Sequence, residues 1–290
     1  MKKIISLILV LVLVMALSAC GEVEITMQEI SDANQTEALF KNHQSVYIQE
    51  KMDGELWSEV YLTNDDAFMH IPDEEYPMME FMTDDVCYYN DAGTRLLFLF
   101  ITPDGAGDFA SDRAERNAST ALSAVTEGNI IESVSKKDGR ITVKASLEQD
   151  VLAAEKEEFG ITSAKFEYVL DAKTYEILSI ISDYTYEDGT VYNLVTEVTY
   201  DAEVPETAKE FLAYRDQTEN LRNVTVVSNP GTEKEESKSI QAPKGLVMGF
   251  QFDEDLEYAV EFYTDAACTQ SYDPFANIDS DLTIYVKWTE

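Results

Sequence analysis

Residues 164–200, AKFEYVLDAKTYEILSIISDYTYEDGTVYNLVTEVTY, decide the fold of this 290-residue chain. Val, Ile, Tyr, Phe and Thr dominate the stretch, and these β-branched and aromatic residues fit the pleated surface of a sheet. Two turn sequences interrupt it, Asp-Ala-Lys-Thr at residues 171–174 and Glu-Asp-Gly at residues 187–189. The stretch therefore predicts three consecutive antiparallel strands, at residues 164–170, 175–186 and 190–200.

The same pattern extends upstream. A run with a period of two begins at Val46, and Asp53-Gly54 lies where a two-residue hairpin turn belongs. Asp138-Gly139 has the corresponding place within residues 129–147. Further strands are predicted at residues 67–71, 86–89 and 96–102, and helices at residues 27–44, 110–126, 149–159 and 205–214. Consecutive strands with few helices between them predict an α+β fold, in which a curved antiparallel sheet packs on helices.

Two features of this region resemble a known family. The predicted N-terminal helix leads into the strands of residues 46–64, and an Asp-x-Lys-Thr turn joins two long strands within residues 168–175. Both features are similar to those of the LolA/LppX-like family of lipoproteins. The resemblance implies a half-barrel sheet that wraps a helical lid around an apolar cavity, in a domain at residues 27–216.

A second β-rich region is predicted at the C-terminal end. Residues 223–227 form a strand, and a charged, Pro-containing loop follows through Lys244. The closing strand places alternate apolar side chains on one face: Leu282, Ile284, Val286 and Trp288. This strand and residues 263–269 resemble the InlB B-repeat (Listeria–Bacteroides repeat) family, although Glu261-Phe262 stands where that family has a Gly-Trp pair. The resemblance implies a small β-grasp-like module at residues 223–290, after a linker at residues 217–222.

The N-terminus has the three parts of an export signal. Lys2 and Lys3 precede an apolar run at residues 4–17, and small residues lead into a cysteine. The string Leu17-Ser18-Ala19-Cys20 resembles the lipobox of bacterial lipoproteins. That resemblance implies a signal peptide at residues 1–19, diacylglycerol on the Cys20 sulfur, and a lipidated tether at residues 20–26. The expected location is the outer face of a cell membrane, with a Gram-positive host favoured.

Composition excludes several classes of function. The formal net charge of −35 repels phosphate backbones, so no nucleic-acid partner is expected. The sequence has two histidines and no Gly-x-Ser-x-Gly, phosphate-binding glycine loop or His-Glu-x-x-His, so we expect no enzyme, no catalytic residue and no cofactor. No C-x-x-C motif is present, so neither a zinc ribbon nor a redox pair is expected. Cys87 and Cys268 could pair outside the cell, but they lie in different predicted domains, which favours two free or buried cysteines.

A methionine-rich segment allows three interpretations. Met69-His70 is followed by Met78, Met79 and Met82, with aromatic side chains between them. The preferred interpretation is ordinary core packing, the second is an adaptable apolar binding surface, and the third is a thioether site for Cu(I) with His70 as an added ligand. We expect no resident metal. Calcium is also not expected at residues 277–281, because the alternating oxygen donors there lack the glycine and the bidentate Glu of an EF-hand loop.

These observations predict a non-enzymatic binding lipoprotein whose concave apolar face holds a hydrophobic small molecule, a lipid or a partner segment. The residues assigned to that face are Val46, Ile48, Met69, Met78, Met82 and Phe98. Tyrosines at 88/89, 184/186 and 192/200 either line the same face or fill the space under the helices. The alternative function is that of a cell-surface interaction or structural protein, which contacts the cell wall or a surface protein through residues 223–290.

Overall fold

A computed structural model describes residues 24–72, 78–91, 94–104, 107–115, 122, 128–216, 220–252 and 259–289. The predicted signal peptide, the lipobox and Cys20 lie outside these residues. The strands are β1 (Val46–Met52), β2 (Glu55–Leu62), β3 (Ala67–Ile71), β4 (Met78–Met82), β5 (Cys87–Asp91), β6 (Thr94–Ile101), β7 (Asn129–Lys137), β8 (Arg140–Leu147), β9 (Ile161–Asp171), β10 (Ile177–Tyr186), β11 (Val191–Tyr200), β12 (Leu221–Ser228), β13 (Glu236–Pro243), β14 (Val247–Phe252), β15 (Ala259–Tyr263) and β16 (Leu282–Thr289).

Within the described part of the chain, twelve of these strands form one open, curved sheet in the order β14-β6-β5-β4-β3-β2-β1-β11-β10-β9-β8-β7. The chain enters at β1, runs outward to β6, restarts at the opposite edge with β7, and returns to β11. There β11 pairs with β1 in antiparallel register, from Val46 opposite Tyr200 to Met52 opposite Leu194. Every pairing is antiparallel except that of β14 with β6. The predicted class, an α+β fold with a curved antiparallel sheet, is confirmed at this level.

Turn chemistry explains the two predicted hairpins, both of which are present. Asp53 and Gly54 have φ angles of 51° and 92°, and Asp138 and Gly139 have φ angles of 51° and 76°. Two successive residues with positive φ are what a tight hairpin turn requires, because that twist matches the twist of the flanking strands. These turns fix the register of β1 with β2 and of β7 with β8.

The helices are α1 (Met27–Ala33), α2 (Thr36–Leu39), α3 (Ala110–Glu115), α4 (Gln149–Phe159) and α5 (Lys209–Arg215), with a 3₁₀ turn at Glu206–Ala208. Helix α4 has its predicted bounds, and Gly160 ends it in the left-handed conformation with a φ of 74°. The single helix predicted at residues 27–44 is instead two short helices. Thr26 caps the first through a capping box with Glu29, and the second begins after Asn34 and Gln35. No helix of the described residues is long and apolar enough to cross a membrane.

The large sheet is covered on both faces by different parts of the chain. One face, here called the helix face, carries Val46 and Ile48 and packs against Ile30 and Leu39 of α1 and α2. Burial of these two helix side chains, both 0% exposed, contributes roughly 1.5–3 kcal/mol each and holds the helices down. We call residues 27–39 the cover. The opposite face, the tail face, packs against α5 and against the C-terminal strands.

The C-terminal strands form a second sheet of four described strands, in the order β13-β12-β16-β15, with a parallel pair at β12 and β16. Ile284 and Val286 of β16 are buried, and Leu282 and Trp288 pack beside them, as the alternation predicts. The loop predicted up to Lys244 contains a strand, β13, and β12 begins at Leu221 within the predicted linker. Strand β14 leaves this region to pair with β6, so the tail and the large sheet share one core.

Candidate functional site

The strand register brings the six residues predicted to bind a ligand onto one face of the sheet. Val46, Ile48 and Met82 belong to the core of the helix face, and Phe98 packs against it. Met69 lies two residues from Ala67 of that core, and Met78 pairs with Ile71 on the same side. Val46, Ile48 and Met82 are each at most 2% exposed, so a ligand reaches them only if neighbouring side chains move. Ligand binding at these six positions stays a prediction.

The methionine-rich segment is divided between the two faces. Met79 pairs with His70 across β3 and β4, on the face opposite Met69, Met78 and Met82. His70 is also engaged elsewhere, because its Nδ1 lies 2.7 Å from Oε1 of the buried Glu59. A single ion does not reach thioethers on both faces of a sheet. Among the described residues, no group of three or more His, Cys, Asp or Glu side chains is placed to hold a metal.

An open cleft lies on the helix face, where β1, β10 and β11 approach their hairpin turns. Its volume is about 510 Å³. The described residues that line it are Met52, Tyr184, Tyr186, Asp188, Thr190, Tyr192 and Leu194. We call it the tyrosine cleft.

Three adjacent strands position the wall of the tyrosine cleft. Met52 of β1 pairs with Leu194 of β11, and Tyr192 of β11 pairs with Tyr184 of β10. Side chains two residues apart on a strand share a face, so Tyr186 joins Tyr184 on the same side. The rings of Tyr186 and Tyr192 meet edge to face, with centroids 5.4 Å apart and planes at 86°. The sheet thus holds apolar and aromatic groups in a fixed concave array.

The wall continues into the buried interior through aromatic contacts. Tyr184 meets Phe166 edge to face at 6.0 Å, and Phe166 stacks on Tyr168 at 6.2 Å. The Tyr168 hydroxyl accepts a hydrogen bond of 2.9 Å from Nδ2 of Asn129. Burial raises the pKa of Tyr168 and of Tyr184, so both remain neutral phenols. The inner end of the cleft is therefore packed and uncharged.

Carboxylates surround the aromatic wall. Glu50 lies two residues before Met52 on β1, on the same face of the sheet and opposite Thr196 of β11. Its Oε2 accepts a 2.6 Å hydrogen bond from the Ser58 hydroxyl. Glu155 is half-buried on α4, on the same side of the helix as Leu152. Burial is the main cause of the raised pKa of Tyr184, and the negative charges of Glu155 and Glu50 add to it.

The outer rim of the cleft exposes apolar side chains. Tyr192 is 39% exposed and its neighbour Val191 is 56% exposed, although Val191 points to the other face of the strand. Phe159, 56% exposed, lies beside the same hairpin, because the Glu187 amide donates a 2.9 Å hydrogen bond to the Gly160 carbonyl. A ligand that enters the cleft therefore passes the Tyr192 ring, which water already touches.

His43 and Asn34 form polar contacts that hold the cover and the segment after it against the ends of β10 and β11 that lie away from the cleft. The His43 ring stacks on Tyr200 at 4.5 Å, and its two nitrogens lie 2.9 Å from Asp201 Oδ2 and 3.1 Å from Glu176 Oε1. Burial alone lowers the pKa of His43, but hydrogen bonds to the two carboxylates outweigh it and the pKa is raised. Asn34, 0% exposed, adds bonds to the backbone at Ile30, Tyr175 and Ile177.

Sequence patterns found part of this site. The spacing of Tyr184, Tyr186 and Tyr192 placed them as candidate lining of the sheet, and the structure brings these three together. Met52 and Leu194 were not found, because only the pairing of β1 with β11 makes them neighbours. Tyr88, Tyr89 and Tyr200 lie elsewhere: Tyr88 is buried on the tail face, and Tyr200 lies under His43.

Comparison with known proteins gives similar structures and no family. No protein-family model matches the chain, and no curated protein is similar to it. Among solved structures, LprF from Mycobacterium bovis is 14% identical, with a TM-score of 0.33 over 62% of this chain and 94% of that one. The LolA superfamily protein NE2245 from Nitrosomonas europaea is 9% identical, with a TM-score of 0.24 over 64% and 97%.

The MucA/MucB complex of Pseudomonas aeruginosa also shows similarity, at 13% identity and a TM-score of 0.23 over 62% of this chain and 57% of that one. With identities of 14% or less and TM-scores of 0.33 or less, these similarities do not identify a family or a ligand for this chain. The site is therefore defined by its own geometry, as an aromatic, open cleft on the helix-covered face of a curved sheet.

Proposed function

We propose that this chain is a non-enzymatic, extracytoplasmic binding protein that holds a hydrophobic ligand in the tyrosine cleft. The cleft carries the proposal, because its volume of about 510 Å³ suits a small molecule or one lipid chain. Its wall combines Met52, Leu194 and three tyrosines, which offer large apolar surfaces at a low cost in conformational entropy. Because the cleft is open, a ligand enters without displacing the packed interior.

The proposed anchor is a diacylglycerol on Cys20, within the lipobox Leu17-Ser18-Ala19-Cys20. Two acyl chains give stable membrane association, whereas one chain gives only marginal, reversible binding. Replacement of Cys20 by serine removes the thioether site. We expect the Cys20→Ser protein to leave the membrane fraction of its host, and an unchanged membrane fraction would contradict the anchor.

Binding is tested with the mature chain from residue 20, carrying Cys20→Ser so that its own lipid does not occupy the site. Nile red is a suitable probe, because it is neutral and its fluorescence rises in apolar surroundings. We expect saturable binding that Tyr192→Ser weakens about 5- to 30-fold, since a well-packed aromatic contact contributes roughly 1–2 kcal/mol. Displacement of the dye by unlabelled lipids then ranks natural candidates.

The matched control is Val191→Ser, on the same strand and at least as exposed, but on the opposite face. Both substitutions remove a partly exposed apolar side chain from one edge of the same hairpin. Equal losses in the two variants would indicate a general loosening of the strand. No saturable binding in the parent protein would show that the cleft is not a ligand site.

A further inference from the structure

The charge in the described lining of the tyrosine cleft is negative. Asp188 is the only charged side chain among the described lining residues, and it caps the β10–β11 turn by accepting a 2.9 Å hydrogen bond from the Thr190 amide. That bond lowers the pKa of Asp188, which therefore stays ionised at neutral pH. Glu50 and Glu155 add two carboxylates that act on Tyr184.

Nearby basic side chains do not balance this charge inside the cleft. Lys51 is held by Glu197 on the opposite face of β1 and β11, since Lys51 alternates with Met52. Lys156 lies 3.4 Å from Glu187, where both side chains are more than half exposed, so that pair is weak and screened by salt. A fatty acid or a phosphate group in the cleft would face Asp188, and the described lining residues supply no cation to compensate the repulsion.

The aromatic geometry also favours a cation. The planes of Tyr186 and Tyr192 meet at 86°, so the two rings form a corner with Tyr184 on the next strand position. Aromatic corners of this kind bind ammonium groups through the negative face of each ring, and the attraction grows as water is excluded. The same rings offer apolar area for a hydrocarbon chain.

We infer that the ligand of the tyrosine cleft is a cationic amphiphile, in which a quaternary or protonated amine lies against Tyr186, Tyr192 and Asp188 and a hydrocarbon chain packs along Met52 and Leu194. The inference rests on the proposed function and names its ligand class. It accounts for two features at once: an apolar wall of fixed shape, and a negative potential from Asp188 at the β10–β11 turn.

The test compares three probes with the same twelve-carbon chain, used below their micelle concentrations: dodecyltrimethylammonium, dodecyl maltoside and dodecanoate. Each displaces Nile red from the mature Cys20→Ser chain at low ionic strength. We expect the ammonium probe to bind about 5- to 30-fold tighter than the neutral one, a range that one cation–π contact and one carboxylate supply, and dodecanoate to bind weakest. A higher salt concentration should reduce the preference for the ammonium probe, because salt screens its attraction to the carboxylate.

Variants separate the cleft from the general surface charge. Asp188→Asn and Glu50→Gln each reduce the ammonium preference about 3-fold or more and leave dodecyl maltoside binding unchanged. The control is Glu132→Gln, which removes one exposed carboxylate from β7 at the far edge of the sheet. An equal effect of Glu132→Gln and Asp188→Asn overturns the inference in favour of non-specific attraction.

The probes distinguish a failure of the proposed function from a failure of the proposed ligand class. If neither Nile red nor any dodecyl probe binds, the proposed function fails together with the ligand class. If dodecyl maltoside or dodecanoate binds as tightly as dodecyltrimethylammonium, the cleft is a hydrophobic site and the cationic ligand class is wrong.

Discussion

Replacement of the buried Asn34 by alanine is predicted to loosen the cover from the sheet. Asn34 lies between α1 and α2, and its side chain makes three hydrogen bonds to backbone groups. Nδ2 donates to the Ile30 carbonyl at 2.7 Å and to the Tyr175 carbonyl at 3.2 Å, and Oδ1 accepts from the Ile177 amide at 2.9 Å. Two of these bonds join the cover to the start of β10, 141 and 143 residues away in sequence.

The expected loss of stability in Asn34→Ala follows from the backbone groups that lose their hydrogen-bond partner. Alanine leaves the Ile177 amide and the Tyr175 carbonyl without the partner that Asn34 supplies, in a region where Ile177 is 0% exposed. Each such buried polar group costs roughly 1–3 kcal/mol, so for the two groups the free energy of unfolding is expected to fall by roughly 2–6 kcal/mol. Tyr175 also has a φ of 62°, a conformation that a non-glycine residue keeps only when its surroundings hold it.

Urea unfolding followed by circular dichroism measures this loss. The control is Gln35→Ala, because Gln35 is the exposed neighbour of Asn34 and is expected to change stability by less than about 0.5 kcal/mol. A second readout is Nile red, which should gain binding sites in Asn34→Ala as Val46 and Ile48 become accessible. If Asn34→Ala lowers the free energy of unfolding by less than about 0.5 kcal/mol, Asn34 does not hold the cover on the sheet.

Three further results are expected. Because the pKa of His43 is raised in the folded protein, its protonated ring stabilises the fold fully below about pH 6.5, and this stabilisation is lost as pH rises through the pKa of the folded state. The free energy of unfolding should therefore fall towards pH 8 in the parent chain, and should fall by less in His43→Gln. Gly249→Ala should destabilise by roughly 1–3 kcal/mol, because its Cβ would overlap the Phe98 ring, whereas Gln251→Ala on the same strand should not. A thiol reagent should label Cys268 in the native protein and the buried Cys87 only after unfolding; simultaneous labelling would contradict this packing.

Local chemistry explains which parts of the fold were predictable from sequence. The Asp-Gly hairpins and the end of α4 at Gly160 depend on residues within one turn, and all were predicted correctly. The break between α1 and α2 was missed because the partners of Asn34 are distant in sequence. Strand β13 was missed because Ser, Lys and Gln alternate there without an apolar face long enough to show a period of two.

The C-terminal region shows a second limit of sequence patterns. Its closing strand was predicted correctly because Ile284 and Val286 point inward at every second position. The parallel pairing of β14 with β6 has no local signal, since it depends on a partner about 150 residues away. Strand β14 and the buried side chains of β12 and β16 therefore belong to one core with the large sheet, and removing β14 would uncover the edge of β6. The resemblance of this region to InlB B-repeats, and a role in surface contacts, stay predictions.

The candidate site lies between these two cases. Tyrosines two residues apart on one strand share a face, so the sequence could group them. The depth of the cleft depends on which strands become neighbours, and β1 meets β11 only because the chain returns from the opposite edge of the sheet. Val46 and Ile48 share a core with Ile30 and Leu39 of the cover, whose placement depends on Asn34.

Photolabelling tests directly whether a cationic amphiphile binds in the tyrosine cleft. A dodecyltrimethylammonium probe with a diazirine near its chain end is bound to the mature Cys20→Ser chain, irradiated, and mapped by mass spectrometry. We expect labels confined to Met52 and residues 184–194, and their loss when unmodified dodecyltrimethylammonium competes. Labels that competition does not reduce, or labels concentrated on residues 223–289, would contradict binding in the tyrosine cleft.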